Sequence, residues 1–169
     1  MIDQIERIYR RLLRVIGYGE ITLVDDSGPV QLVQVRLDQI TVQDGVPRLT
    51  EYGFQSNPPP GADAALAFLM GSASDGVSIA TGHQTWRLRG LATGEVAISD
   101  DKGQKVYLSA AGIRIEGGSM PMQINASVGL TINANVTING TVTANGHRID
   151  ETHRHGGVQT GSGNTGVVT

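Results

Sequence analysis

Apolar and polar residues follow three different rhythms along this chain. In the first sixteen residues Ile2, Ile5, Ile8, Tyr9, Leu12, Leu13 and Ile16 recur at helical spacing, with Arg7, Arg10, Arg11 and Arg14 between them. That spacing predicts a short amphipathic helix over residues 1–16, and Gly17 supplies its stop. The apolar stripe suits docking onto the chain's own domain or onto a partner. A helix lying on a membrane usually carries more bulky aromatic anchors than this one.

Between residues 17 and 84 the rhythm shortens. Runs rich in strand formers (Glu20–Val24, Val30–Leu37, Ala64–Met70 and Val77–Ala80) are separated by the turn formers Asp25–Gly28, Gln43–Gly45, Asn57–Gly61 and Ser74–Gly76. This punctuation predicts about five strands in a small closed or nearly closed barrel of the OB-like kind. Such barrels often bind single-stranded nucleic acid through stacked aromatics and a basic groove. Here Tyr18, Tyr52 and Phe54 are few and the local cations are Arg36 and Arg48, so no nucleic-acid binding is expected.

The third rhythm is the most informative. After Trp86, short strands are expected around Gly94–Gly103 and Lys105–Ser109; then a strict alternation sets in. From Met120 to Ala144 every even position is apolar or glycine, and beyond Pro121 the odd ones are Gln, Asn, Ser, Thr or Gly. Period two marks a strand with one buried face. At about 3.3 Å per residue the tract would run roughly 80 Å, far beyond an ordinary strand. One chain cannot enclose so narrow a stripe, nor satisfy an extended backbone without neighbours. Several identical chains wound about a shared axis solve both problems, and three is the smallest number that closes a β-prism without free edges. A single-chain solenoid would need turns at fixed intervals, which Thr131–Val136 lacks. The fold class is therefore mainly β: a short N-terminal helix, an OB-like barrel, then an intertwined trimeric β-prism or β-helix. The expected domains are 1–16, 17–84, 85–146 and an apex over 147–169.

Composition narrows the function. No charged side chain occurs between Gly117 and Gly146, and the net charge of -3 gives no global basic field for nucleic acid. With no cysteine, disulfides and thiolate metal sites are excluded. No apolar run reaches the length of a membrane-spanning helix, and the charged N-terminus does not read as a secretory leader. Synthesis in the cytoplasm is expected, with export only by a mechanical carrier.

Past Asn145–Gly146 the chain reads His147-Arg-Ile-Asp-Glu-Thr-His153-Arg-His155-Gly-Gly157, followed by a Gly-rich, uncharged end. Side chains at i and i+2 of a strand share a face, so His153 and His155 can both address the axis. Three chains would then supply six imidazole nitrogens, an octahedral set suited to a first-row metal such as iron. Read alone, the pair favours exposed turn residues over a metal site; its place at the end of a prism turns the balance toward the metal. His83 and His147 have no such neighbour and read as surface or packing residues.

The helix, the OB-like region, the stretch Trp86–Gly90 to Gly94–Gly103, the prism and above all Thr152–Gly157 resemble the baseplate assembly protein V and Mu-like tail-spike family of contractile phages. The resemblance implies a virion protein at the tail baseplate tip, a homotrimer with one iron per trimer held by His153 and His155. It also implies attachment to hub and tail-tube proteins, and passage through the host outer membrane when the sheath contracts. It implies no enzyme. A metalloenzyme using Asp150 or Glu151 beside the histidines would need an open coordination position and a substrate pocket. Cell-wall cleavage would need paired carboxylates in a cleft. A receptor-binding fibre shares the trimeric β architecture, but needs a broad binding head rather than a short tapering end.

Overall fold

The computed structural model describes residues 5, 6, 9, 15–69, 72 and 74–149. Alternation decides which face each strand buries. In β4 (Asp63–Phe68) Ala64, Leu66 and Phe68 point into the core, and the residues between them stay half-exposed. β2 (Leu32–Arg36) buries Val33 and Val35 by the same rule. β1 (Ile16–Asp25) contributes Ile21, β3 (Val42–Pro47) contributes Val46, and β5 (Gly76–Gly82) buries Gly76 and Ser78. These small aliphatic side chains, with Ala62 and Phe68, form a single core cluster.

The five strands pair antiparallel in the order β3-β2-β1-β4-β5. β1 serves two neighbours: residues 16–20 pair with β4 and residues 20–25 with β2. A bulge between Ile21 and Leu23 lies in the second of these ladders, and bulges sharpen local twist and bend a strand. At the far edges, a parallel bridge joins Arg48 to Ser78, and the Leu49 amide donates to the Ser78 carbonyl at 3.0 Å. The end of β3 thus meets β5. Arg48 braces the long β3–β4 connection beside this bridge. Its guanidinium donates to Gln31 Oε1 at 2.7 Å, to the Ser56 carbonyl and hydroxyl at 2.8 Å each, and to Thr81 Oγ1 at 2.9 Å.

Two expectations are corrected here. Gln43–Gly45 is not a turn between strands but part of β3, where the ladder to β2 slips by one residue. Gly45 takes φ 62° there, a left-handed conformation that makes a bulge as readily as a turn. Ile16 begins β1 rather than ending a helix. The helix expected over residues 1–16 otherwise lies almost wholly outside the described residues, of which Ile5, Glu6 and Tyr9 are helical.

A second sheet follows in the same unit. β6 (Val96–Ser99), β7 (Lys105–Ser109) and β8 (Gly112–Glu116) form an antiparallel meander. The chain divides into units of residues 1–123 and 124–169. In the second unit β9 (Thr143–Ala144) and β10 (His147–Arg148) make a minimal hairpin. Asn145 at φ 51° and Gly146 at φ 81° supply its two-residue turn, both in the left-handed region that a type I′ turn requires. Among the described residues no strand lies between Glu116 and Thr143.

Candidate interaction surface

The meander β6–β8 has two unlike faces, and its register shows why. Val96 stands opposite Leu108, Ile98 opposite Val106, Val106 opposite Ile115, and Leu108 opposite Ile113. Directly opposed residues share a face, so all six aliphatic side chains lie on one side. None of them is buried: exposure runs from 36% at Val106 to 72% at Ile113. A cross-strand cluster of this kind normally packs against a second layer. This one is bare.

The opposite face is finished within the chain. Lys105 and Glu116 stand opposite each other and pair at 2.9 Å. The Arg114 guanidinium lies 5.0 Å from the centre of the Tyr107 ring, its cross-strand neighbour. The Tyr107 hydroxyl donates to the Glu95 carboxylate, which also accepts the Ala92 amide at 2.9 Å. Those bonds, the Tyr107 hydroxyl first, hold the Glu95 carboxyl below the usual carboxylate range, and the same pairing pushes the Tyr107 phenol up. Glu116 is likewise lowered, chiefly by its hydrogen bond with Lys105. The contact through Glu95 also fixes the turn Ala92–Glu95, where Gly94 takes φ 87°.

The alternating tract shows the same imbalance. Met122, Ile124, Leu130, Ile132, Val136 and Ile138 are 57–62% exposed, and Val128 is fully so. Among the described residues nothing covers these even positions, and no ladder accompanies them. The tract was expected from the sequence; the third strand of the meander and the pairing of its faces were not. Alternation of Ile113 and Ile115 with Arg114 and Glu116 was the available signal.

A groove in the first unit gathers Tyr18, Glu20, Arg36, Asp63, His83 and Gln84. Its charges are largely spent on one another: Arg36 pairs with Glu20 at 2.8 Å, and the Tyr18 phenol is raised chiefly by its hydrogen bond with Asp63. Among the described residues no group of three or more His, Asp and Glu is placed to hold a metal ion. His153 and His155, the expected metal ligands, lie outside the described residues. His147 pairs with Ala144 at the foot of the hairpin.

Residues 19–85, from β1 through the turn after β5, match the family described as Bacteriophage Mu Gp45, N-terminal. Over that segment the chain resembles the phage Mu Gp45 family. It is similar to the baseplate puncturing device gp45 of Escherichia phage Mu, with 28% identity over 105 residues. The match covers 62% of this chain and 53% of that relative, so the chain spans about half the length of the relative it matches. The matched segment is the five-stranded sheet, and the bare face of β6–β8 follows after it.

Proposed function

We propose that this chain is the central spike of a contractile tail, a non-enzymatic virion component at the baseplate tip that is driven through the host outer membrane. The observation that carries the reading is the bare apolar face of β6–β8 followed by the uncovered even positions of 120–144, in a chain similar to a baseplate puncturing device. In this reading the five-stranded sheet, with its outer strands bridged at Arg48 and Ser78, is an OB-like barrel that attaches to hub and tail-tube proteins. Three copies wind residues 85–146 into a prism, each turning its apolar side to the axis. Intertwined strands spread an axial load over many hydrogen bonds, and unravelling one chain requires disrupting its partners.

The apex reading rests on the donor set. Imidazole nitrogens suit iron and its first-row neighbours, and His153 and His155 from three copies would hold one ion at the point where fraying begins. Electron cryo-microscopy of contractile particles carrying a tagged copy tests the whole. A label on the axis at the baseplate tip, together with loss of outer-membrane permeabilisation when the chain is deleted, is expected. A label on peripheral fibres would replace the spike with a receptor-binding fibre.

A further inference from the structure

Between its two sheets the first unit passes through the turn His83–Arg87, and that turn is built around one imidazole. His83 follows directly on β5. Its carbonyl accepts from the Arg87 amide at 3.0 Å, and its Nδ1 accepts from the amides of Thr85 at 3.2 Å and Trp86 at 3.4 Å. A ring nitrogen that accepts carries no proton, so this geometry requires the neutral ring with its hydrogen on Nε2. The Trp86 indole sits 6.0 Å from the imidazole, centre to centre. The turn is also moored to its surroundings: Gln84 Nε2 reaches Asp63 Oδ1 at 3.5 Å, and Arg89 returns to the Gln84 carbonyl at 2.6 Å.

We propose that His83 makes the junction between the two sheets sensitive to pH. A proton on Nδ1 occupies the lone pair that serves both amides, so the cap is complete with the neutral ring and is lost as the pH falls. Imidazole is the one side chain whose ordinary proton affinity changes its charge between about pH 5 and 8. The groups facing the ring do not supply a substitute acceptor for the two amides. On the groove side stand Tyr18 and Glu20 from β1, Arg36 from β2, Asp38 beyond it and Asp63 from β4. Glu20 is paired with Arg36, Asp63 is engaged with Tyr18 and Gln84, and Asp38 accepts from Ile40 and Thr41. On the other side lie Arg87 and the β6–β7 turn with Asp100, Asp101 and Lys102. There Asp101 pairs with Lys102, and Asp100 accepts the amides of Lys102 and Gln104.

The test follows the Thr85 and Trp86 amide resonances of the isotope-labelled full chain together with the His83 ring, from alkaline to mildly acidic pH. Emission of Trp86, the chain's single tryptophan, gives a second readout. Both amides are expected to shift with the same midpoint as the ring and to lose their exchange protection below it. His83→Asn places a carbonyl acceptor in an Asx turn at every pH, and should keep the turn while removing the pH dependence. His83→Ala should show the uncapped amide shifts throughout. Amides that ignore the ring's titration, or an Asn variant that titrates like the parent, would overturn the proposal.

Discussion

Gly19 in β1 lies so close to Arg36 in β2 that a Cβ on the glycine would sit 2.4 Å from the Arg36 carbonyl oxygen, with Val35 Cγ1 at 2.8 Å. The obstacle is backbone, which cannot swing aside as a side chain could. Gly19→Ala is therefore expected to destabilise the five-stranded sheet by about 1–3 kcal/mol, the usual range for overpacking. Urea denaturation followed by circular dichroism measures it, and an unchanged midpoint would show that the two strands can separate at no cost.

Ser78 makes the opposite prediction. It is fully buried, and its hydroxyl has no hydrogen-bond partner among the described residues. A buried hydroxyl left without a partner costs about 1–3 kcal/mol. Ser78→Ala removes that hydroxyl at the expense of very little volume, and should raise stability by about 1 kcal/mol. A drop in the denaturation midpoint would instead reveal a partner for the hydroxyl in solution.

The bare face of β6–β8 can be poisoned with one charge. Leu108→Asp and Ile113→Asp are expected to turn the proposed trimer into monomers, because a carboxylate at a closed apolar interface has no counter-charge. Arg114→Gln, on the finished face, should leave the assembly intact. Sedimentation velocity distinguishes these outcomes; trimers that survive both acidic substitutions would remove the face from the interface.

Acid should act on the finished face of β6–β8. The Glu95 carboxyl is depressed by the Tyr107 hydroxyl and the Ala92 amide. A depressed carboxylate contributes stability that is present above its unfolded pKa, about 4.3 for Glu, and lost as the pH falls through the lower folded value. The Ala92–Glu95 turn is thus expected to hold at and above the ordinary glutamate range and to release only as the pH falls below it. Tyr107→Phe should move the Glu95 titration upward toward the ordinary range. Carbon-detected titration of the side-chain carboxyl reads this directly, and an identical midpoint in the two proteins would discount the hydroxyl.

Replacing His153 and His155 together by Ala is expected to abolish iron binding at the proposed apex while leaving the proposed trimer formed. Elemental analysis of purified protein, paired with sedimentation, separates the two effects. Unchanged iron content would sink the ligand assignment, whatever the state of assembly.

Much of the fold was legible because it is written locally. Alternation in Ala64–Phe68 names its own buried face, and glycine-rich punctuation marks the strand ends around it. What the sequence hid depends on partners far away along the chain. That Val106 faces both Ile98 and Ile115 is a matter of register across two turns, and Arg48 looked like a stray surface cation until Ser56 and Thr81 came beside it. Gly45 could not announce a bulge rather than a turn, since both use the same backbone conformation. His83 read as an isolated histidine because its partners are amide groups, which no residue pattern displays.

The hairpin at Asn145–Gly146 changes the parity of the chain. Before it, the apolar face belongs to even-numbered residues, Ala144 the last of them. Directly across the turn from Ala144 stands His147, and opposed residues share a face. The face that was even therefore becomes odd, and Ile149 rather than Arg148 carries it on. In the sequence His153 and His155 share the odd parity of Ile149, and Arg154 does not.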